Sequence, residues 1–201
     1  MIERLTAQDW IDFGLTTLAR SGFRTLKAEI LARKLGVSRG SFYWHFADLE
    51  TFHRQIIEHW RRVATEAIIA GLDRYDSLEQ RLDVLLRGAF GHSALLEIRM
   101  RAWADENARA ARVLNDIDRR RKAYIEQLLA GAGIPPALAA TRAQLLYWAY
   151  LGAALSRSKL TGARLDQIVA ELELIGLGQL RSNRAVAVER RRRGPSRRRR
   201  G

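Results

Sequence analysis

Between Ala32 and Phe46 the chain reads Ala-Arg-Lys-Leu-Gly-Val-Ser-Arg-Gly-Ser-Phe-Tyr-Trp-His-Phe, and these residue types suit contact with nucleic acid. Ser38, Arg39, Gly40 and Ser41 set small or polar groups in a row. A helix can present such a row to base edges in the major groove of DNA. Tyr43, Trp44 and His45 follow directly. Alone, those three could equally be core aromatics of a helical bundle; the glycine turn and serine cap ahead of them favour the nucleic-acid reading. Other chemistries lack their residues. The four histidines, at 45, 53, 59 and 92, show no His-Glu-x-x-His spacing. No Gly-rich phosphate loop follows a strand, and no spacing ties Ser93 to a His and an Asp. The absence of cysteine excludes thiol chemistry, disulfides and Cys-based zinc or iron–sulfur sites. The expectation is a chain with no catalytic residues, no metal site and no cofactor.

The elements that must position this stretch are helices. Thr6 with Asp9 three residues on signals a helix N-terminus. Trp10, Phe13, Leu15, Leu18 and Ala19 carry an apolar stripe to about Arg20, where Ser21-Gly22 reads as a stop. Ala28, Leu31, Ala32 and Leu35 share one face of a short helix from Lys27 to Leu35. Gly36 tolerates the positive φ of a tight turn, and Ser38 is a good cap for a second short helix to about His45. Two short helices around a glycine turn form the helix-turn-helix pattern, with Leu31, Leu35, Val37 and Phe42 as its apolar anchors. A long helix follows, from Ala47-Asp48 to about Tyr75. Further helices are predicted over Leu78 to Phe90, Leu95 to Asp105, Ala108 to Ala130, Ala137 to Lys159 and Arg164 to Leu180. No segment alternates with period two, so the fold class is all-α, with about nine helices.

Leu35-Gly36-Val37-Ser38 and Gly40-Ser41-Phe42-Tyr43-Trp44-His45-Phe46, with Gly22-Phe23 and Leu31-Ala32 before them, resemble the DNA-binding domain of the TetR (tetracycline-repressor) family of transcriptional regulators. The resemblance covers about a quarter of the chain. It implies that Ser38 to Ser41 face base edges, with Arg39 contacting guanine. It implies that Tyr43 and His45 bind backbone phosphates, with Trp44 beside them, and that Phe42 and Phe46 are core. Two positions depart from the family wording. Lys27 stands where Ser or Thr is common, which loses a cap and adds a cation near the phosphates. Leu49, beside Asp48, stands where Lys is favoured, which removes a cation.

The resemblance further implies a C-terminal helical domain that binds a small-molecule effector and forms a homodimer. Phe90, His92, Arg99, Met100, Trp103, Tyr124, Tyr147 and Trp148 are the candidates for the ligand site, a mostly apolar pocket with a few polar groups. Aromatic residues at helical spacing are more often core than pocket. Ala149, Gly152, Ala153 and Ser156 form a small-residue face, and Ile168, Leu172 and Ile175 an apolar edge on the last helix. Two such helices from each protomer would make a four-helix interface, or would simply cover their own core. Arg119-Arg-Arg-Lys122 points in every direction around a helix. A surface paired with Asp116, Asp118 and Glu126 is the expected reading, a buried Arg near the pocket the other.

Lys and Arg number 35 against 22 Asp and Glu, a formal net charge of +13. Its location matters more than its size. Residues 181–201 hold ten Arg and one Glu, a net +9, whereas residues 1–62 carry only +3 and residues 63–180 only +1. The expected organisation is a helix-turn-helix domain over 1–48, a ligand-binding and dimerisation domain over 49–180, and a disordered Arg-rich tail over 181–201. The tail keeps a rival open: a non-specific nucleic-acid-binding protein acting through it. A helical protein-interaction module is the other. The leading expectation is a ligand-responsive repressor that binds a palindromic double-stranded operator as a dimer. The N-terminal residues show no apolar signal core, and Leu145 to Leu155 is shorter than the roughly 20 residues a membrane span needs. A cytoplasmic location with no membrane partner is expected.

Overall fold

The structure is a computed structural model that describes residues 5–156 and 160–178. The Arg-rich tail of 181–201, and the expectation attached to it, lies outside the described residues. Nine helices, and no strand, are present among the described residues. Helix α1 is Ala7–Ser21. Thr6 caps it, accepting from the Asp9 amide at 3.2 Å while the Asp9 carboxylate accepts from the Thr6 amide at 2.7 Å. The Thr6 hydroxyl, which donates to the same carboxylate at 2.6 Å, and the Thr6 amide hold the exposed Asp9 carboxyl below its ordinary pKa. Gly22 ends the helix at φ 79°, and a 3-10 turn, Phe23–Thr25, leads on. Helix α2 is Ala28–Leu35, with Lys27 at its cap position and no side-chain cap bond. Gly36 turns the chain at φ 69°. Helix α3 is Arg39–His45, capped by Ser38, which accepts from the Ser41 amide at 3.3 Å.

Asp48 accepts from the Thr51 amide at 2.6 Å and opens the long helix α4. That helix runs through Leu49–Arg61, a π-helical turn Arg62–Glu66, and Ala67–Leu72. It was predicted as unbroken to Tyr75; the π turn and the earlier end are departures. The first is bonded to a residue far off in sequence. The Arg121 guanidinium donates to the Ala64 carbonyl at 3.0 Å and to Thr65 Oγ1 at 3.1 Å, giving partners to groups that the wider turn displaces. The remaining helices are α5 Leu78–Gly91, α6 Leu95–Glu106, α7 Ala108–Gly131, α8 Pro136–Ser156 and α9 Gly162–Leu177.

Two large cores organise these helices. The first contains Trp10 and Leu18 of α1, Leu31 of α2, Phe42 of α3, and Phe52, Ile56 and Trp60 of α4. It also takes Met100 and Trp103 from α6 and Ala110, Leu114 and Ile117 from α7. The expected boundary at residue 48 therefore does not divide the packing. Trp103 stacks on Phe23 with ring centroids 4.6 Å apart, and meets His53 edge-on at 5.5 Å. Burial holds the His53 imidazole below its ordinary pKa, against a bond to the Leu26 carbonyl at 2.9 Å. The second core joins Leu82, Leu86 and Phe90 of α5, Ile125 and Leu129 of α7, Leu146 and Tyr147 of α8, and Val169 and Leu172 of α9. Leu72, Tyr124 and Leu128 form a small cluster of their own, where the end of α4 meets α7.

Helices α1 and α4 approach most closely at Gly14. A Cβ there would lie 2.6 Å from Ile56 Cδ1 and 2.8 Å from Phe52 Cζ, both wholly buried. Gly14→Val is expected to lower stability by about 1–3 kcal/mol through overpacking. Thermal denaturation checks this; an unchanged midpoint would contradict the close approach.

Candidate nucleic-acid interface

Helix α3 is held from behind. Phe42 and Phe46 are buried, and Phe42 packs edge-on against Trp10 and Phe52, with centroids 5.3 and 5.1 Å away. Seven residues make barely two turns, so two buried rings on one side dictate what the other side shows. Ser38, Arg39 and Gly40 are exposed and Ser41 is half-buried. Tyr43 is 43 % and Trp44 80 % exposed. His45 is half-buried, and Lys27 is exposed at the start of α2. The structure thus brings all eight sequence-predicted DNA-contact residues to the two helices of one motif. An 80 % exposed indole is costly in water, and none of the described residues covers it.

Arg39 is not free in this state. Its Nη2 donates to the Tyr43 hydroxyl at 3.2 Å, its guanidinium lies 5.3 Å from the Tyr43 ring centroid, and its Nη1 sits 3.4 Å from Glu29 Oε1. Glu29 was not among the sequence-predicted residues. Its spacing gave no sign, because the two residues meet only after the Gly36 turn folds α3 across α2.

A second feature lies among α4, α5, α6, α7 and α8: a cavity of about 700 Å³. Phe90, His92, Tyr124 and Tyr147 of the sequence-predicted ligand residues line it. The other four do not. Met100 and Trp103 sit in the first core, because only the opening turn of α6, with Leu96 and Glu97, faces the cavity. The Arg99 guanidinium lies toward Gly22 at the end of α1, 3.9 Å from where a Cβ would stand. Trp148 points outward, 59 % exposed.

The cavity wall holds a charge network that sequence reading placed only in part. Glu97, 5 % exposed, lies 3.0 Å from Arg121 Nη1 and 2.7 Å from Arg101 Nη2. Arg101 pairs in turn with Asp118, its Nη2 and Nη1 donating at 2.8 and 3.1 Å. Tyr147 donates to Asp118 at 2.6 Å and accepts from Arg101 at 3.1 Å. Burial pulls the pKa of both guanidiniums down, but Glu97 beside Arg121, and Asp118 and Glu97 beside Arg101, leave both above the ordinary value. Burial and Glu97 push the Tyr150 hydroxyl up to about 12. Arg119 follows the expected surface reading, paired with Asp116; Arg121 follows the alternative. A signal existed: Ile117, Arg121, Tyr124 and Leu128 share one helical stripe, and the other three are buried.

On α8, Ala149 and Ala153 are half-buried against the protomer's own core, while Gly152 and Ser156 are exposed. On α9, Leu172 is buried and Ile168 half-buried, so neither stands out as a free apolar edge; Ile175 is 48 % exposed. Sequence reading missed the residues that are most exposed here, Leu145, Trp148 and Leu155 of α8 and Leu174 of α9. Their helical spacing matched a core stripe too. No group of three or more His, Asp or Glu that could hold a metal occurs among the described residues. No described helix is long and apolar enough to cross a membrane.

Residues 11–51 match the family model of the bacterial regulatory proteins of the tetR family. No curated protein sequence matches the chain. Several solved structures share the fold. A transcriptional regulator of the TetR/AcrR family is 23 % identical, with 84 % of this chain and 97 % of that one covered at a TM-score of 0.67. A transcriptional regulator from Saccharomonospora viridis in complex with choline is 16 % identical, covering 83 % and 92 %, at 0.68. The transcriptional regulator FadR from Bacillus subtilis in complex with stearoyl-CoA is 15 % identical, covering 86 % and 99 %, at 0.62. The matched segment includes α2, the glycine turn and α3, and the solved structures share the all-helical fold of the whole described chain.

Proposed function

We propose that this protein is a transcriptional regulator of the tetR family, a ligand-responsive repressor that binds a palindromic operator in the cytoplasm as a homodimer. The observation that carries this is α3 itself: its back is pinned by buried Phe42, and its front presents Ser38 to Ser41, Tyr43 and the 80 % exposed Trp44. In this reading Ser38, Arg39, Gly40 and Ser41 meet base edges, while Lys27, Tyr43 and His45 hold phosphates. Trp44 covers apolar sugar or methyl surface. Arg39 leaves Tyr43 and Glu29 to reach a guanine, which frees the Tyr43 hydroxyl for a phosphate at the same moment. No catalytic step is assigned.

The exposed apolar residues of α8 and α9 support a twofold interface, with Gly152 and Ser156 allowing close approach. A twofold axis there would repeat α3 about one turn of DNA away, roughly 34–36 Å. The cavity supports effector control, and two proteins of the same fold hold small molecules, choline and stearoyl-CoA. Its walls include the π turn of α4 and the opening turn of α6, and both helices continue into the first core. An effector that binds better when those helices are shifted would misplace α3 relative to its dimer mate and release DNA. It can do so only by its difference in affinity between the two arrangements.

Arg39→Ala is expected to cost about 1–3 kcal/mol on preferred sequences and to relax the preference at one base position. Binding to a panel of single-base operator variants measures this, and an unchanged preference would reject the base contact. At Gly152 an added Cβ meets nothing within 4 Å in the protomer. Gly152→Trp should therefore fold normally but yield a monomer by light scattering; an unaltered dimer mass would move the interface elsewhere.

A further inference from the structure

We infer that the cavity selects an uncharged molecule: an apolar, aromatic or aliphatic body bearing at most a neutral hydrogen-bonding group such as a hydroxyl. This rests on the reading of the cavity as the effector site. The charged groups in and behind its wall are two carboxylates, Glu97 and Asp118, and two guanidiniums, Arg101 and Arg121, which together sum to zero. They are also paired with one another, Arg101 with Glu97 and Asp118 and Arg121 with Glu97. Arg121 spends Nη1 on Glu97 at 3.0 Å, Nε on Thr65 at 3.1 Å and Nη2 on the Ala64 carbonyl at 3.0 Å. Each of its three nitrogens already holds an acceptor, so a ligand carboxylate would have to share a guanidinium that Glu97 neutralises. Glu97 is already flanked by both arginines, so it offers no unbalanced charge to a ligand ammonium.

The aromatic surface nearest the carboxylate is taken as well. Arg121 lies 5.8 Å from the Trp60 ring centroid and 5.9 Å from that of Tyr150. The rings best placed to attract a cation already face one. Leu72, Val84, Leu86, Phe90 and Ile125 make much of the remaining wall apolar, and the polar groups beside them, Ser93 and the hydroxyls of Tyr124, Tyr147 and Tyr150, are neutral. A ligand of either charge must therefore enter without a counter-ion, or break a buried pair and strand its partner, and both are unfavourable. Arg74 and His92 at the rim are exposed, where water and salt screen them.

Three probes of one skeleton test this on the full-length protein: pyrenemethanol, pyrenecarboxylate and pyrenemethylammonium, followed by pyrene emission. The expected result is that the alcohol binds roughly tenfold or more tightly than either ion. Gly88 lines the cavity, and a Cβ there meets nothing within 4 Å. Gly88→Trp should thus fill the space and abolish alcohol binding, locating the probe. Glu97→Gln leaves the cluster with one excess positive charge, and should improve carboxylate binding relative to alcohol by roughly tenfold. Arg121→Gln leaves one excess negative charge and should favour the ammonium instead. A charged probe that equals the alcohol on the unmodified protein overturns the inference while leaving the effector site standing. Failure of all three probes to bind overturns the effector site and the inference with it. The comparison on the unmodified protein decides the matter even if a variant fails to fold.

Discussion

The stack of Trp103 on Phe23 and His53 is the contact on which the rest of the structure depends. It inserts the middle of α6 into the core that also holds the helix-turn-helix. A three-helix head of fewer than 50 residues buries little of its own surface and is marginal alone. Here it borrows Met100, Trp103, Ala110, Leu114 and Ile117 from the body. The consequence is mechanical as well as energetic. Close-packed cores transmit strain rather than absorb it, and α3 and α6 belong to the same core.

Arg121 supplies the second connection. Its guanidinium is bonded both to the π turn of α4 and to Glu97 at the start of α6. Those are the two helices that run from the cavity wall into the first core. One side chain thus ties together the two routes between cavity and head. A buried ion pair of this kind contributes little net stability, because desolvation offsets the attraction. Its value here is geometric: it fixes the width of the α4 turn and the position of α6 together.

What could be read beforehand follows a physical pattern. Helices announced themselves through local signals, so Thr6, Gly36, Ser38 and Asp48 marked ends that the structure shows capped or turned as expected. The recognition motif was legible because its glycine, serine cap and aromatic run are adjacent in sequence. Long-range relations were not legible. Trp103 and Met100 resembled pocket residues because a helical stripe does not say which neighbour it faces. Arg121 was hidden inside a run of four cations, although its place on the Ile117–Tyr124–Leu128 stripe marked it as inward. The π turn at Arg62–Glu66 is bonded to Arg121, nearly sixty residues away, and no local pattern marks it. Charge misled most. Nine of the thirteen excess positive charges fall in residues 181–201, whereas residues 1–62, which contain the helix-turn-helix, carry only +3.

The central claim is that α3 reads sequence, not merely phosphate. Selection of bound duplexes from a random pool by the full-length protein, at near-physiological salt, tests it most directly. The account predicts enrichment of an inverted repeat whose half-sites are centred about one helical turn apart, roughly 34–36 Å. Retention of duplexes without any enriched sequence, with affinity set by salt alone, would contradict it.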